Sequence, residues 1–478
     1  MRLLNLVLEK DKKGYYKLES ILDVETGEIV TIDQIISDIG KIYVQNLNIG
    51  FCQIIAELKK LHYKNVYVAE KKGQYSFTYS NGQCHDIRIY SDHLVRLCNY
   101  STKFMQDFNQ DNAIKLIDYA ESKNRTSGSL GADAFNEWLQ TRFKAHNQTI
   151  NINACRILFR EDYPLIHNPI VDRAKDMTSG YQLAKKGYYN NLYHYDIVSS
   201  YPSQLLNDTP VGQPRHYDKL EDVPVSYFYI VKFTVVDPVI KIGCIDFLNV
   251  TKSIHTYVLT SHLYKLFKEN YKYSSINIRE IIAFKTKQNA FKEFVTKNIV
   301  YGKINEKERC IAKYNKAIVN AIVGYMGKRN TVSRSKFVGQ DIVYKTDPSD
   351  PIYLPIYLYV TGKAKSEFIR DLQRVGISNV VYANTDGFLC TKELDLNRLN
   401  IGRQLIIGHY KYKCQYQDIY IECINGYAGL TTDGEIDNTL SGIRLVSPIS
   451  VREYQSKRFT YRLSEIHNCQ IRETIISR

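Results

Sequence analysis

The sequence predicts a multidomain α+β fold, and three observations carry that expectation. The chain has 478 residues, 44% apolar and 24% charged, which suits two or more domains with sizeable cores. From about residue 190, short aromatic and β-branched stretches alternate with segments of helical periodicity. Between Asn379 and Cys390 two apolar runs flank Asn384-Thr385-Asp386-Gly387, a sequence suited to a β-hairpin turn.

Residues 1–145 read as an α/β unit. Leu3 to Leu8 and Lys41 to Asn46 are strand-like, and Leu47-Asn48-Ile49-Gly50 leads into a helical pattern over Cys52 to Leu61. A second helical pattern covers Asp111 to Glu121, followed by a loop signal at Thr126 to Gly131. Residues 146–187 have little periodicity and are expected to form a connection. Asn191 to Val198 reads as a strand that turns at Ser199-Ser200-Tyr201-Pro202, and a helix can start at Pro202 because proline fits a first helical turn.

Residues 209–285 mix strands such as Tyr227 to Val235 with a helix near Leu263 to Asn270. Ala290 to Gly324 is mostly helical, and 329–350 is polar and loop-like. Tyr353 to Tyr359 is strand-like and feeds a helix from Gly362 to Val375. The Arg-rich tail after about residue 430 is expected as a small separate lobe.

A net charge of +14 favours a polyanionic partner, nucleic acid ahead of an anionic membrane or a merely solubilising surface. The 39 tyrosines can stack on bases but serve equally as core residues. The 10 cysteines include no Cys-x-x-Cys pair, which argues against structural zinc and for a reducing compartment. The sequence holds no apolar run long enough for a membrane span, and its opening residues are too short for a signal peptide. An intracellular protein, in the cytoplasm of a host cell and without a membrane partner, is expected.

Three segments carry the chemistry. Tyr195 to Pro202 puts Asp196 at a strand end, Lys316 to Gly324 forms a lysine-led helix face, and Tyr382 to Gly387 puts Asp386 in a hairpin turn. Two carboxylates on neighbouring strand ends suit a pair of Mg2+ ions about 4 Å apart, the arrangement used for metal-assisted phosphoryl transfer, with Mn2+ as a substitute. Arg309, Lys313, Lys316 and Asn320 fall at i, i+4, i+7 and i+11, one helix face able to grip a triphosphate. Each has a plainer reading: Asn-Thr-Asp-Gly as an ordinary turn, Asp196 as a cap, the basic stripe as a solvated face. Gly324 either admits a close neighbour or stops the helix.

Together the segments resemble the motifs of family B DNA polymerases, in particular the compact protein-primed group of phages and linear plasmids. Asp196 to Pro202 is similar to Asp-x-x-Ser-Leu-Tyr-Pro. Lys316 to Gly324 is similar to Lys-x-x-x-Asn-Ser-x-Tyr-Gly, with Ala321 and Val323 in place of the serine and tyrosine. Tyr382 to Gly387 is similar to Tyr-x-Asp-Thr-Asp-Ser, with Asn384 for the first aspartate, Thr385 retained and Gly387 for the serine. The resemblance implies that Asp196 and Asp386 hold the metals and that Tyr201 packs under the incoming sugar and excludes a 2′ hydroxyl. It implies that Lys316, with Asn320, binds the triphosphate, and that Tyr427 supports the primer terminus although Asn425 stands where a lysine is expected. Val323 replaces a tyrosine that lines the nascent base pair, and Asn384 removes one negative charge near the metals.

The same resemblance implies a right-hand polymerase. Its palm would span 188–208 and 352–430, its fingers 286–328 and its thumb 431–478. An exonuclease-like, RNase H-like domain would occupy 1–145, with 209–285 and 329–351 matching the two terminal-protein insertions. The exonuclease carboxylates are missing, since Asn5 to Val7 and Gly50 occupy two expected positions and no third motif lies near Tyr100 to Asp111. Without them two metals cannot be held. The implied activity is template-directed DNA synthesis for a viral or mobile element, without proofreading, with primer-template DNA, deoxynucleoside triphosphates and a priming terminal protein as partners. The alternatives are a retired polymerase that binds DNA or a partner, and a nuclease, which the missing carboxylates disfavour.

Overall fold

The computed structural model describes residues 2–10, 16–23, 26–31, 34, 42–45, 64–71, 74–80, 84–91, 115, 118–120, 122–123, 125, 130–143, 152–328, 332–338, 341–347, 352–395 and 406–439. The chain forms two compact units: Met1–Ser101 with Asp107–Glu137 and Glu306–Pro351, and Thr102–Gln106 with Trp138–Asn305 and Ile352–Arg478.

The first unit contains an eight-stranded sheet in the order Asp341–Asp347, Val332–Val338, Lys64–Lys71, Gln74–Ser80, Cys84–Ser91, Ile42–Gln45, Arg2–Lys10, Tyr16–Asp23. The strands expected at Leu3 to Leu8 and Lys41 to Asn46 are present as Arg2–Lys10 and Ile42–Gln45, paired in parallel. The expected helix at Cys52 to Leu61 lies outside the described residues. The stretch expected as a polar loop at 329–350 is instead a hairpin, Val332–Val338 with Asp341–Asp347, whose first strand pairs with Lys64–Lys71. Val, Phe, Ile, Tyr and Thr are interspersed with its charges, and such residues suit a pleated strand even where overall polarity suggests a loop.

Helix Arg309–Gly327 belongs to this unit. Its buried side is tied down by Arg125, whose guanidinium donates to Glu137 at 2.9 Å and to Asn315 Oδ1 at 2.9 Å. The same group lies 5.2 Å from the Tyr314 ring centroid. A charge removed this far from water requires such partners. A Cβ at Gly131 would fall 2.8 Å from Tyr325 Cδ2, so the missing side chain allows the backbone near Gly131 to approach that ring.

The second unit contains a seven-stranded sheet in the order Ile436–Thr439, Gly426–Thr431, Tyr410–Cys423, Gly187–Ile197, Gly387–Cys390, Val380–Asn384, Gln182–Ala184. A four-stranded sheet, Ile254–Thr260, Phe228–Val236, Ser275–Lys287, Thr209–Tyr217, stands beside it. Val231, Phe233 and Leu259 from the smaller sheet, Leu263 and Phe267 from helix Ser261–Asn270, Phe368 from helix Leu354–Val375, and Tyr195 and Phe388 from the larger sheet form one buried core. The hydrophobic effect that drives this burial holds the larger sheet in place from one side.

The segment expected as a strand at Tyr353 to Tyr359 is the beginning of the 22-residue helix Leu354–Val375. Its aromatic and β-branched residues favour a strand locally, but Pro355 sits in the first turn and Ile356, Leu358, Val360 and Phe368 are all fully buried. Burial on several sides overrides intrinsic propensity. A Cβ at Gly362 would fall 2.5 Å from Thr260 Oγ1, so this position accepts only the smallest residue against the strand.

The connection expected at 146–187 is also more ordered than its weak periodicity suggests. It holds helices Ile152–Asp162 and Pro169–Ala174, the second capped by Asn168, whose Oδ1 accepts from Ile170 N–H at 2.8 Å. Phe159 and Tyr163 meet Trp138, which stacks on Phe291 at 4.5 Å and donates Nε1–H to the Ala290 carbonyl at 2.9 Å.

Candidate active site

The central strand Gly187–Ile197 brings the two motif aspartates together. Asp196, one residue from its end, lies opposite Gly387 on one neighbouring strand and opposite Lys411 on the other. Asp386 occupies the turn between Val380–Asn384 and Gly387–Cys390, and its carbonyl accepts from Ile197 N–H at 2.8 Å. The carboxylates are therefore carried by backbone segments that hydrogen-bond directly. A Cβ at Gly387 would come 3.2 Å from Asp196 Oδ1, so glycine leaves room between the two strand ends.

The turn is held from outside as well as by its own strands. Thr385, at φ +63°, donates its N–H to the Tyr181 carbonyl at 2.9 Å. A Cβ at Gly180 would fall 2.6 Å from Thr385 Oγ1, so this loop and the turn touch. Asn384 Oδ1 accepts from Gln182 at 3.1 Å and from the Thr385 hydroxyl at 3.3 Å, and its Nδ2 donates to Asn425 Oδ1 at 2.7 Å. Asn425 N–H in turn donates to the Tyr382 hydroxyl at 3.2 Å. An aspartate at 384 has no N–H to give Asn425 in this arrangement. Asn384 and Tyr382 thus tie the turn to its surroundings.

The chain after the central strand reverses through Ser199, at φ +54°, into the short helix Ser200–Gln204. This helix starts two residues before the expected Pro202 and carries Tyr201. Burial pushes the Tyr201 phenol up to about 12, with smaller contributions from Tyr357 and Asp386, so it stays protonated beside the turn. Lys303 donates to Ser199 Oγ at 2.8 Å, fixing the reversal from the outside.

Sequence reasoning missed Lys411 and Lys413, whose ammonium groups lie 3.4 and 3.5 Å from Asp196 Oδ2. Their alternation in Tyr410-Lys411-Tyr412-Lys413 is a one-face strand signal, but its partner is far away in sequence. Tyr427 packs against Tyr382 and Tyr416 with ring centroids 5.7 and 6.4 Å away, and burial raises its pKa.

Within the first unit, Arg309, Lys316, Asn320 and Gly324 are exposed on helix Arg309–Gly327, while Cys310, Tyr314, Ile318 and Ile322 are buried. Lys313 is half-buried, and burial followed by Arg309 lowers its pKa. A Cβ at Gly324 would meet nothing within 4 Å. Val323, one heptad from Lys316, is buried.

The donors at the strand ends fit a hard divalent cation. Asp196 and Asp386 offer oxygen only, and the described residues contain no cluster of three or more His, Cys, Asp or Glu that could enclose a metal. Mg2+ suits such an open site because it keeps waters and takes phosphate oxygens as ligands.

The fold carries two aspartates on hydrogen-bonded strand ends, with a protonated tyrosine in the short helix that follows the first of them. Residues 178–386 match the family model described as DNA polymerase type B, organellar and viral. That match covers less than half of the chain and supports a DNA-directed DNA polymerase. Its fold is similar to Phi29 DNA polymerase complexed with primer-template DNA and incoming nucleotide substrates, at 15% identity and a TM-score of 0.73, covering 92% of each chain. It is also similar to the Phi29 post-translocation binary complex with primer-template DNA, at 14% identity and a TM-score of 0.72, covering 94% of this chain and 91% of that one. No curated protein matches the sequence. Among the described residues no helix is long and apolar enough to cross a membrane.

Proposed function

We propose that this polymerase adds deoxynucleotides to a 3′ hydroxyl on a DNA template, with Asp196 and Asp386 as its metal-holding carboxylates. The observation that carries this reading is the Ile197 to Asp386 backbone hydrogen bond, which supports placing both aspartates at one end of the sheet. Bound Mg2+, or Mn2+ in its place, would supply charge stabilisation at the transferring phosphate. Tyr201 would lie against the sugar as a neutral phenol and exclude a 2′ hydroxyl. Arg309, Lys313, Lys316 and Asn320 would bind triphosphate oxygens, with Gly324 leaving space beside them. Tyr427 would support the primer end indirectly, through its ring contacts with Tyr382 and Tyr416.

On this reading 188–208 and 352–430 form the palm, 286–328 the fingers and 431–478 the thumb. Residues 1–145 form an exonuclease-like domain without proofreading activity, because acidic residues are missing from the expected motifs. Asn5 to Val7 fall in strand Arg2–Lys10, while Gly50 and the Tyr100 to Asp111 region lie outside the described residues. The motif resemblance supports a viral or mobile-element role inside a host cell, with a terminal protein as primer bound through 209–285 and 329–351.

Primer extension with Mg2+ or Mn2+ tests the central assignment. Asp196→Ala and Asp386→Ala are each expected to lose about 10³-fold in incorporation, the scale of losing a main charge-stabilising group. Equal incorporation by wild type and both variants would overturn it. The neutral Asn384 favours one second reading, a retired polymerase that only binds DNA. Tight, salt-sensitive DNA binding with no incorporation under either metal would select that reading.

A further inference from the structure

Asp196 carries two cationic partners of its own. Lys411 lies directly opposite Asp196 across the sheet, and Lys413 follows two residues later on the same strand. Both ammonium groups address one carboxylate oxygen, Oδ2, at 3.4 and 3.5 Å. The other oxygen, Oδ1, faces the space that Gly387 leaves open. Among the described residues, Asp196 is the only carboxylate in ion-pair range of either lysine. The Asp196 side chain is 15% exposed and the lysines 32% and 41%, so the cluster is partly screened but not fully solvated.

Two ammonium groups thus face the one Asp196 carboxylate, and Asn384 adds no charge beside the turn. We propose that Lys411 and Lys413 are resident counter-cations of Asp196. They hold Oδ2, leave Oδ1 for the metal, and weaken binding of a free divalent cation so that occupancy depends on an incoming triphosphate. They are positioning residues, and their proposed role rests on Asp196 being a metal ligand. A dication near a fixed ammonium group is repelled, whereas one accompanied by a triphosphate is not. With water-like screening, each lysine is expected to weaken free-cation binding roughly three- to tenfold.

Mn2+ binding to the full-length protein, followed by electron paramagnetic resonance without DNA, tests this directly. Asp196→Asn should lose the Asp196-dependent site. Lys411→Met/Lys413→Met should bind Mn2+ roughly tenfold or more tightly, with smaller gains in the single variants. Lys411→Arg/Lys413→Arg should return to wild-type affinity. Adding a deoxynucleoside triphosphate should tighten wild-type binding more than that of the double methionine variant. Loss of a merely structural support would not improve metal binding. Unchanged or weaker Mn2+ affinity in the folded single or double methionine variants, with the site still lost in Asp196→Asn, would overturn the counter-cation proposal alone. Wild-type Mn2+ binding in Asp196→Asn would overturn the metal-ligand reading and this proposal with it.

Discussion

A single methyl group at position 387 would test how closely the two strand ends must approach. In Gly387→Ala the new Cβ would lie 3.2 Å from Asp196 Oδ1, 3.4 Å from the Tyr195 carbonyl oxygen and 3.6 Å from His194 Nε2. Only the first contact is tighter than ordinary van der Waals approach, so the Asp196 carboxylate must yield by about 0.3 Å. Gly387 is not in the left-handed backbone region, and alanine is otherwise favoured over glycine in a strand by about 0.5–1 kcal/mol. Stability should therefore hold while catalysis falls. If a 1 Å misplacement costs about 10²-fold, a shift of about 0.3 Å costs about fourfold on a logarithmic scale. Valine should cost more because its branches reach further into the same space. Single-turnover incorporation at saturating nucleotide, with thermal melting as a control, reads both quantities. Full incorporation rates in both the Ala and Val variants would refute the idea that this contact positions Asp196.

Two other sites give independent tests. His262 packs on Tyr359 with centroids 5.1 Å apart, its Nδ1 is buried without a partner, and burial lowers its pKa to about 3, with further lowering by Lys363, Lys265 and Arg370. Between about pH 6.5 and 3 the unfolded chain binds a proton that the folded chain refuses, so this contribution to stability is lost as pH falls through that window. At pH 5 the loss is about 2 kcal/mol, and His262→Phe should reduce the stability difference between pH 7 and 5 by that amount in denaturant unfolding. An unchanged difference would count against a buried neutral imidazole. Asn384→Ala removes the amide link between Gln182 and Asn425 and should cost about 1–2 kcal/mol of stability and about tenfold in rate, without weakening DNA binding. Asn384→Asp should recover part of the rate if Asn425 rotates its amide to donate, and should lower the Mg2+ concentration for half-maximal activity. Wild-type rate and stability in Asn384→Ala would contradict the tie.

The parts of the site legible in sequence are those whose physical cause is local. Asn384-Thr385-Asp386-Gly387 reads as a turn because these residues tolerate tight backbone geometry, and the folded chain uses Thr385 at positive φ there. The spacing of Arg309, Lys316 and Asn320 likewise survives as an exposed helix face, because period 3.6 is a property of the helix itself. Tyr353 to Tyr359 misleads for the opposite reason. Its strand propensity is worth little once Ile356, Leu358 and Val360 are all fully buried. The strands Val332–Val338 and Asp341–Asp347 read as a loop in sequence because charged and polar residues interrupt their β-branched and aromatic ones.

What sequence could not give is the electrical environment of Asp196, because Lys411 lies more than two hundred positions away and becomes a neighbour only through strand register. The same register bears on Asn384. A second carboxylate at 384 would draw a divalent cation toward the turn, whereas the neutral amide spends its hydrogen bonds on Gln182 and Asn425. Two lysines against Asp196 and a neutral residue at 384 both lower the site's attraction for a free cation. They leave Oδ1 of Asp196 as the side of that carboxylate away from the lysines. If these features act together, Asn384→Asp in the Lys411→Met/Lys413→Met background should tighten Mn2+ binding by the product of the separate effects when the sites act independently, and by less when the new carboxylate and Asp196 compete for one ion.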